Sequence, residues 1–367
     1  MFNTNLRFAF LCALLPLLSL FVLPGIASAS PAWYGSLGTY QLHNVFHVPV
    51  PSDALHNGWC YDIATVDPET HVLYLADNAN AQITVINPAS GKVIGIGTGQ
   101  FTGIGGCHSF TYSNGGPEGT AIHKEKLIAG NGNSHVLFFN KESGTRLANV
   151  QTEGSLRADE MAIAQGNLIV TNPDEVPHPY ITFIDLQTYT IKARFVFTDA
   201  IGGLEQPQYW AGHLYISVPT TAQSPNGGEV DELDISHLEH IHIMHRFAFT
   251  TSQPGGLSIR GDGIAAVGCG GLKNTSQVIL NLNNGHQTVV RGISGVDIVD
   301  VYRGDFFWVS YATAQFFISD VHGRILQAFP ATHASHTVTV DTSNGDVWVP
   351  QDKGDVNLYM PVHEEES

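Results

Sequence analysis

The chain has 367 residues, a formal net charge of −17 and only 13% charged residues. The acidic balance and the lack of any basic patch exclude a nucleic-acid backbone as the expected partner. With 38 glycines, 18 prolines and no long helical periodicity, the composition points to an all-β chain.

Residues 1–29 read as a secretory signal peptide. Arg7 is the early charge, FAFLCALLPLLSLFVLP the apolar core, and Ala27-Ser28-Ala29 the small-x-small cleavage signal. This predicts a secreted or periplasmic protein cleaved near Ala29. No later stretch is long and apolar enough to span a bilayer as a helix, so no membrane span is expected after cleavage. Cleavage removes Cys12 and leaves Cys60, Cys107 and Cys269. An odd count in an oxidising compartment leaves one thiol over. A Cys60–Cys107 bridge is one expectation, and three buried small hydrophobes is the other.

The segment Gln41–Val50 (QLHNVFHVPV) stands ahead of the first repeat. From Tyr61 to Gly97 the chain reads as four short strands with apolar residues alternating at period two. Such a unit cannot bury both faces of its sheet alone and needs copies on either side. Six weaker copies follow, starting at Pro117, Ala158, Leu204, Pro254, Val296 and Ser335. Their spacing of roughly 40 to 55 residues fits four-stranded blades with variable loops. The expected fold is therefore all-β, a seven-bladed propeller of four-stranded blades over residues 30–362. Gln41–Val50 is expected to complete the last blade, which is short of a strand, and 363–367 to form a charged tail. The loop 99–116 is the longest insertion between blades. Residues 231–247 read as an outer strand entered through a turn, with His240 and His242 on one face and His245 on the other.

Aligning the blade starts brings out a column of chemistry-bearing residues. Asp62, Glu118, Asp159, Glu205, Gly255, Asp297 and His336 share one register, at the start of each inner strand. Inner strands line the channel, so these residues ring one of its mouths. Glu160 and Gln206 occupy the next position, and Arg157 precedes the acidic pair in blade 3. Gathered carboxylates must be protonated, paired with Arg157 or His336, or bound to a cation. Hard oxygen ligands suit Ca²⁺ or Mg²⁺, with Glu118, Asp159, Glu205 and Asp297 as the ligand set. A raised carboxyl beside histidine equally suits proton transfer, with Glu160, His336 and Arg157 as catalytic candidates. In a third alternative each acid caps backbone N–H groups of the next blade. No nucleophile elbow, Walker loop, H-E-x-x-H or dinucleotide fingerprint occurs.

The repeat form ATVDPETHVLYLAD-x-x-x-AQITVINPASGKVI, with GPEGTAI, RADEMAI, GLEQPQYW and ASHTVTVD at blade starts, resembles the exported YncE-like proteins of the YVTN-repeat propeller superfamily. The resemblance spans about residues 40 to 362. It implies the propeller fold, and propellers of this kind serve as scaffolds, as lactonases with a divalent cation in the channel, or as lyases using histidine with a cation. Three functions are thus expected of the acidic mouth. It binds a small polar ligand, a divalent cation or both (Asp62, Glu118, Asp159, Glu205, Gln206, Asp297 and His336). Alternatively it houses a metal-dependent lactonase or lyase, or it is structural within a protein-interaction scaffold.

Overall fold

The computed structural model describes residues 39–52, 58–103, 114–250, 252–270 and 276–362. The expected signal peptide, the middle of the 99–116 loop with Cys107, and the expected tail lie outside these residues. Seven antiparallel sheets of four strands each are present, one per repeat. Six are simple meanders. In blade 1, for example, Ala64–Val66, Leu73–Asp77, Gln82–Asn87 and Lys92–Ile96 pair in sequence order. In the seventh sheet the outer strand is Tyr40–His47, which pairs antiparallel with Asp355–Pro361. Ring closure is therefore carried by the two ends of the described chain. Tyr40 is 2% exposed, and the Gln327 side chain of blade 6 bonds both its backbone N–H and its carbonyl.

Period-two alternation decides which neighbour each side chain meets. Leu73 and Leu75 pack with Trp348 and Leu358 of blade 7, whereas Tyr74 packs with Leu127 and Phe139 of blade 2. The same division recurs around the ring: among the described residues, seven apolar clusters fill the seven junctions between consecutive blades. Middle strands are thus apolar on both faces, as strands buried on both sides require.

Two expectations meet the structure differently. Cys60 is disulfide-bonded and Cys269 is a buried free thiol. Its expected partner Cys107 lies outside the described residues. In blade 4, residues Glu229–Asp234 and His242–Ala248 do form the third and outer strands, joined through a 3₁₀ turn at Leu238–His240. The expected division of the histidines is incorrect. His240 sits in the turn, and a register shift brings Asp234 opposite His242 but Glu232 opposite His245. The extra residue of a bulge reverses simple alternation, so His242 and His245 share a face.

Candidate acidic site at the channel mouth

Four equivalent backbone bonds hold the acidic column in register. Asp62, Glu118, Asp159 and Glu205 donate their N–H groups to the carbonyls of Ala76, Gly130, Thr171 and Ser217, each in the second strand of its own blade. Blades 2 and 3 approach closely here. A Cβ on Gly119 would lie 2.3 Å from the carbonyl oxygen of Asp159, and one on Gly130 would lie 2.0 Å from that of Ala158. Only glycine permits this contact, and it brings Glu118 beside Asp159.

The ligand atoms of Asp62, Glu118 and Asp159 lie within 4.8 Å of one another, the one such group among the described residues. Glu118 and Asp159 are buried, Asp62 less so. Glu118 Oε1, Asp159 Oδ1 and Glu160 Oε2 are buried without a hydrogen-bond partner among the described residues. Arg157 enters from the rim. Its Nη1 lies 3.1 Å from Asp159 and 3.9 Å from Glu118, and its Nε donates to Asp174 at 2.9 Å.

Burial raises the proton affinity of Glu118, Asp159, Glu160, Glu205 and Asp297, and neighbouring carboxylates add to it. Glu118 is pushed well above the ordinary range by burial and then by Asp62. Asp159 rises to about 7, chiefly through burial, even with Arg157 beside it. Glu160 and Glu205 are raised well above the usual range by burial, with Glu205 the leading charge acting on Glu160. Burial raises Asp297 too, against the pull of His336. Glu205 and Asp297 therefore belong to one electrostatic unit with the triad but stand outside its converged ligand atoms.

His336 occupies the exposed edge of the cluster. Its ring stacks on Tyr61 at 4.8 Å, and Nδ1 bonds the carbonyl of Ala334 at 2.8 Å. A carbonyl only accepts, so Nδ1 carries a proton, and Nε2 is turned toward Asp62, 3.9 Å away. Gln206 is turned elsewhere. Its Oε1 accepts the N–H of Leu257, and it lines the central channel below the mouth with Thr65, Thr120, Ser258 and Asp300. That cavity is about 310 Å³. Asp174 was not singled out from the sequence. It lies in a turn between the second and third strands of blade 3, outside the repeat register.

No family model matches the sequence, and no curated protein matches it. Among solved structures the chain is similar to the WD40 domain of Neurospora crassa Pan2, at 12% identity over 90% of this chain and 98% of that one, TM-score 0.65. It is also similar to the WD40 propeller domain of Doa1, at 11% identity over 89% and 98%, TM-score 0.65. Virginiamycin B lyase from Staphylococcus aureus matches at 10% identity over 88% and 100%, TM-score 0.63. These likenesses establish the fold. The chain is a seven-bladed β-propeller with a buried acidic triad that could bind a metal ion. No helix among the described residues is long and apolar enough to cross a membrane.

Proposed function

We propose that this chain is an exported propeller of the YncE-like, YVTN-repeat kind that binds a divalent cation, Ca²⁺ or Mg²⁺, with a small polar ligand beside it. The observation that carries this reading is the convergence of Asp62, Glu118 and Asp159 within 4.8 Å, with buried Glu118 Oε1 and Asp159 Oδ1 lacking a hydrogen-bond partner among the described residues. Buried polar atoms are almost always satisfied, and a hard cation satisfies carboxylate oxygens. Export is supported by the disulfide at Cys60, since such bonds persist in oxidising compartments. Crystals soaked in MnCl₂ test the site. The reading expects an anomalous peak among the three carboxylates, and a map without one at that position contradicts it.

A second reading, a cation-dependent lyase or lactonase, is favoured by His336. Its Nε2 faces the acid cluster while Nδ1 is anchored, an orientation in which an imidazole can pass a proton to or from a ligand. Fold likeness adds nothing to that choice. Turnover that disappears in His336→Ala while cation binding persists would favour the enzyme over a binding protein or scaffold.

A further inference from the structure

A second ring of side chains lies deeper in the channel. Three positions beyond the residues of the acidic column, about 10 Å further along the inner strands, stand Thr65, Gln208, Ser258, Asp300 and Thr339. Blades 2 and 3 place only methyl groups there, those of Ala121 and Ala162. All seven residues line the channel cavity of about 310 Å³, and Asp300 is the one charged residue of that lining among the described residues. The blades pack in sequence order around the ring, so blade 6 faces blades 2 and 3 across the channel. The wall opposite Asp300 is therefore apolar, formed by the two alanines with Ile122, Met161 and Ile163.

The polar wall is rich in acceptors. Thr65 Oγ1 donates to the carbonyl of Thr120 at 2.9 Å, and Ser258 Oγ donates to Asp300 Oδ1 at 2.9 Å. Both hydroxyl protons are thus spent within the protein, and both oxygens keep lone pairs. Asp300 joins three blades. Its Oδ1 also accepts the N–H of Val301, and its Oδ2 accepts that of Val340 in blade 7, each at 2.8 Å. These bonds fix the carboxylate and leave Oδ2 able to accept again. The carboxyl titrates at about 6, raised by loss of hydration, so it is ionised at pH 7.5. A fixed anion among lone pairs, in a chain of net charge −17, selects a ligand that brings both donors and positive charge.

We propose that the channel binds a primary ammonium bearing a short alkyl chain, with the charged group on Asp300 and the chain against Ile122, Met161 and Ile163. An ammonium offers three donors and no acceptor, which complements this ring. A divalent metal ion fits less well. Ca²⁺ takes about six to eight oxygens, and no second carboxylate or histidine lines the cavity. The volume stands at the small end of ligand pockets, which run from about 300 to 1,000 Å³, so the chain is limited to a few carbons. The proposal does not rest on cation binding at the mouth.

Calorimetric titration of the purified chain with n-butylammonium chloride, in EDTA at pH 7.5, tests it. The wild type should bind one equivalent. Affinity should fall by about tenfold or more in Asp300→Asn, which removes the charge, and in Ala162→Leu, which fills the space opposite. Glu239→Gln, which removes an exposed charge from the outer turn of blade 4, should bind as the wild type does. 1-Butanol, similar in size but uncharged, should bind about tenfold more weakly or less, and an equal concentration of KCl should not displace butylammonium. Circular dichroism melts establish that each variant is folded. Ala162→Leu leaves the hydrogen-bonding groups of Asp300 unchanged, so it serves if Asp300→Asn does not fold. No saturable binding in the wild type, or equal affinity in the wild type and the channel variants, would overturn the proposal. Equal affinity for 1-butanol, or displacement by KCl, would overturn it too.

Discussion

Arg157 Nη1 lies 3.1 Å from Asp159 Oδ2 while Arg157 Nε holds Asp174 at 2.9 Å. The guanidinium thus bridges the acid triad to the rim of the mouth. It is a cation built into the chain, and it offsets part of the charge that an incoming ion would otherwise neutralise. Arg157→Gln should therefore destabilise the cation-free protein, by about 3 kcal/mol for a buried pair that loses one partner. It should also raise affinity for Ca²⁺ by about tenfold, a change of 1.4 kcal/mol. Chemical denaturation and calorimetry check both effects. Unchanged affinity would mean that Arg157 does not compete with the ion.

Stability should rise as the solution is acidified. Asp159 titrates at about 7 and Asp300, half-buried in the channel wall, at about 6, both raised chiefly by loss of hydration. The unfolded values are near 3.9. Between those limits the folded protein holds more protons than the unfolded chain, so stability falls as pH rises from about 4 to about 7. Asp300 alone contributes up to about 3 kcal/mol, at 1.36 kcal/mol per unit. Melting temperature measured in chelator from pH 8 down to pH 5 should increase. Glu160→Gln mimics the protonated acid, so it should raise the pH 8 melting temperature and flatten the profile.

Ring closure rests on the pairing of Tyr40–His47 with Asp355–Pro361. Deleting 41–50 should lower the melting temperature strongly, because it exposes the edge of the last blade and uncovers Trp348, against which Phe46 packs. A full-length melting temperature in the deletion variant would count against closure by this segment.

The blades and the acidic column were legible because strand alternation and inner-strand register are local properties, carried in each repeat by a few residues. Asp62, Glu118, Asp159 and Glu205 fall at one register and make the same backbone bond in four blades. What remained hidden depends on contacts between elements. Asp174 reaches Arg157 from a turn that no period marks. Gln206 follows Glu205 directly, yet its side chain is drawn to the backbone of Leu257 in blade 5. The side of the sheet on which His245 sits depends on one bulged residue, Met244, whose insertion shifts the count.

The two cysteines of known state should differ chemically. Cys269 is wholly buried, and burial pushes its thiol up to about 12. A thiol that is rarely ionised and not accessible reacts slowly. Alkylation of the native, unreduced protein should leave Cys269 unlabelled, and labelling should appear only on unfolding. Peptide mapping without reductant should recover Cys60 joined to Cys107, and a bridge from Cys60 to Cys269 would contradict the structure.

The most direct measurement of the account is the thermal shift on adding Ca²⁺ or Mg²⁺ to chelator-treated protein at pH 7.5, for the wild type and for Glu118→Gln. An ion that binds only the folded state stabilises it by about 2.7 kcal/mol at a hundredfold excess over Kd. The account predicts a shift of that order in the wild type and a much smaller one in Glu118→Gln, which keeps the shape of the side chain and removes its charge. No shift in the wild type with either ion, or equal shifts in both proteins, would contradict a cation site at Asp62, Glu118 and Asp159.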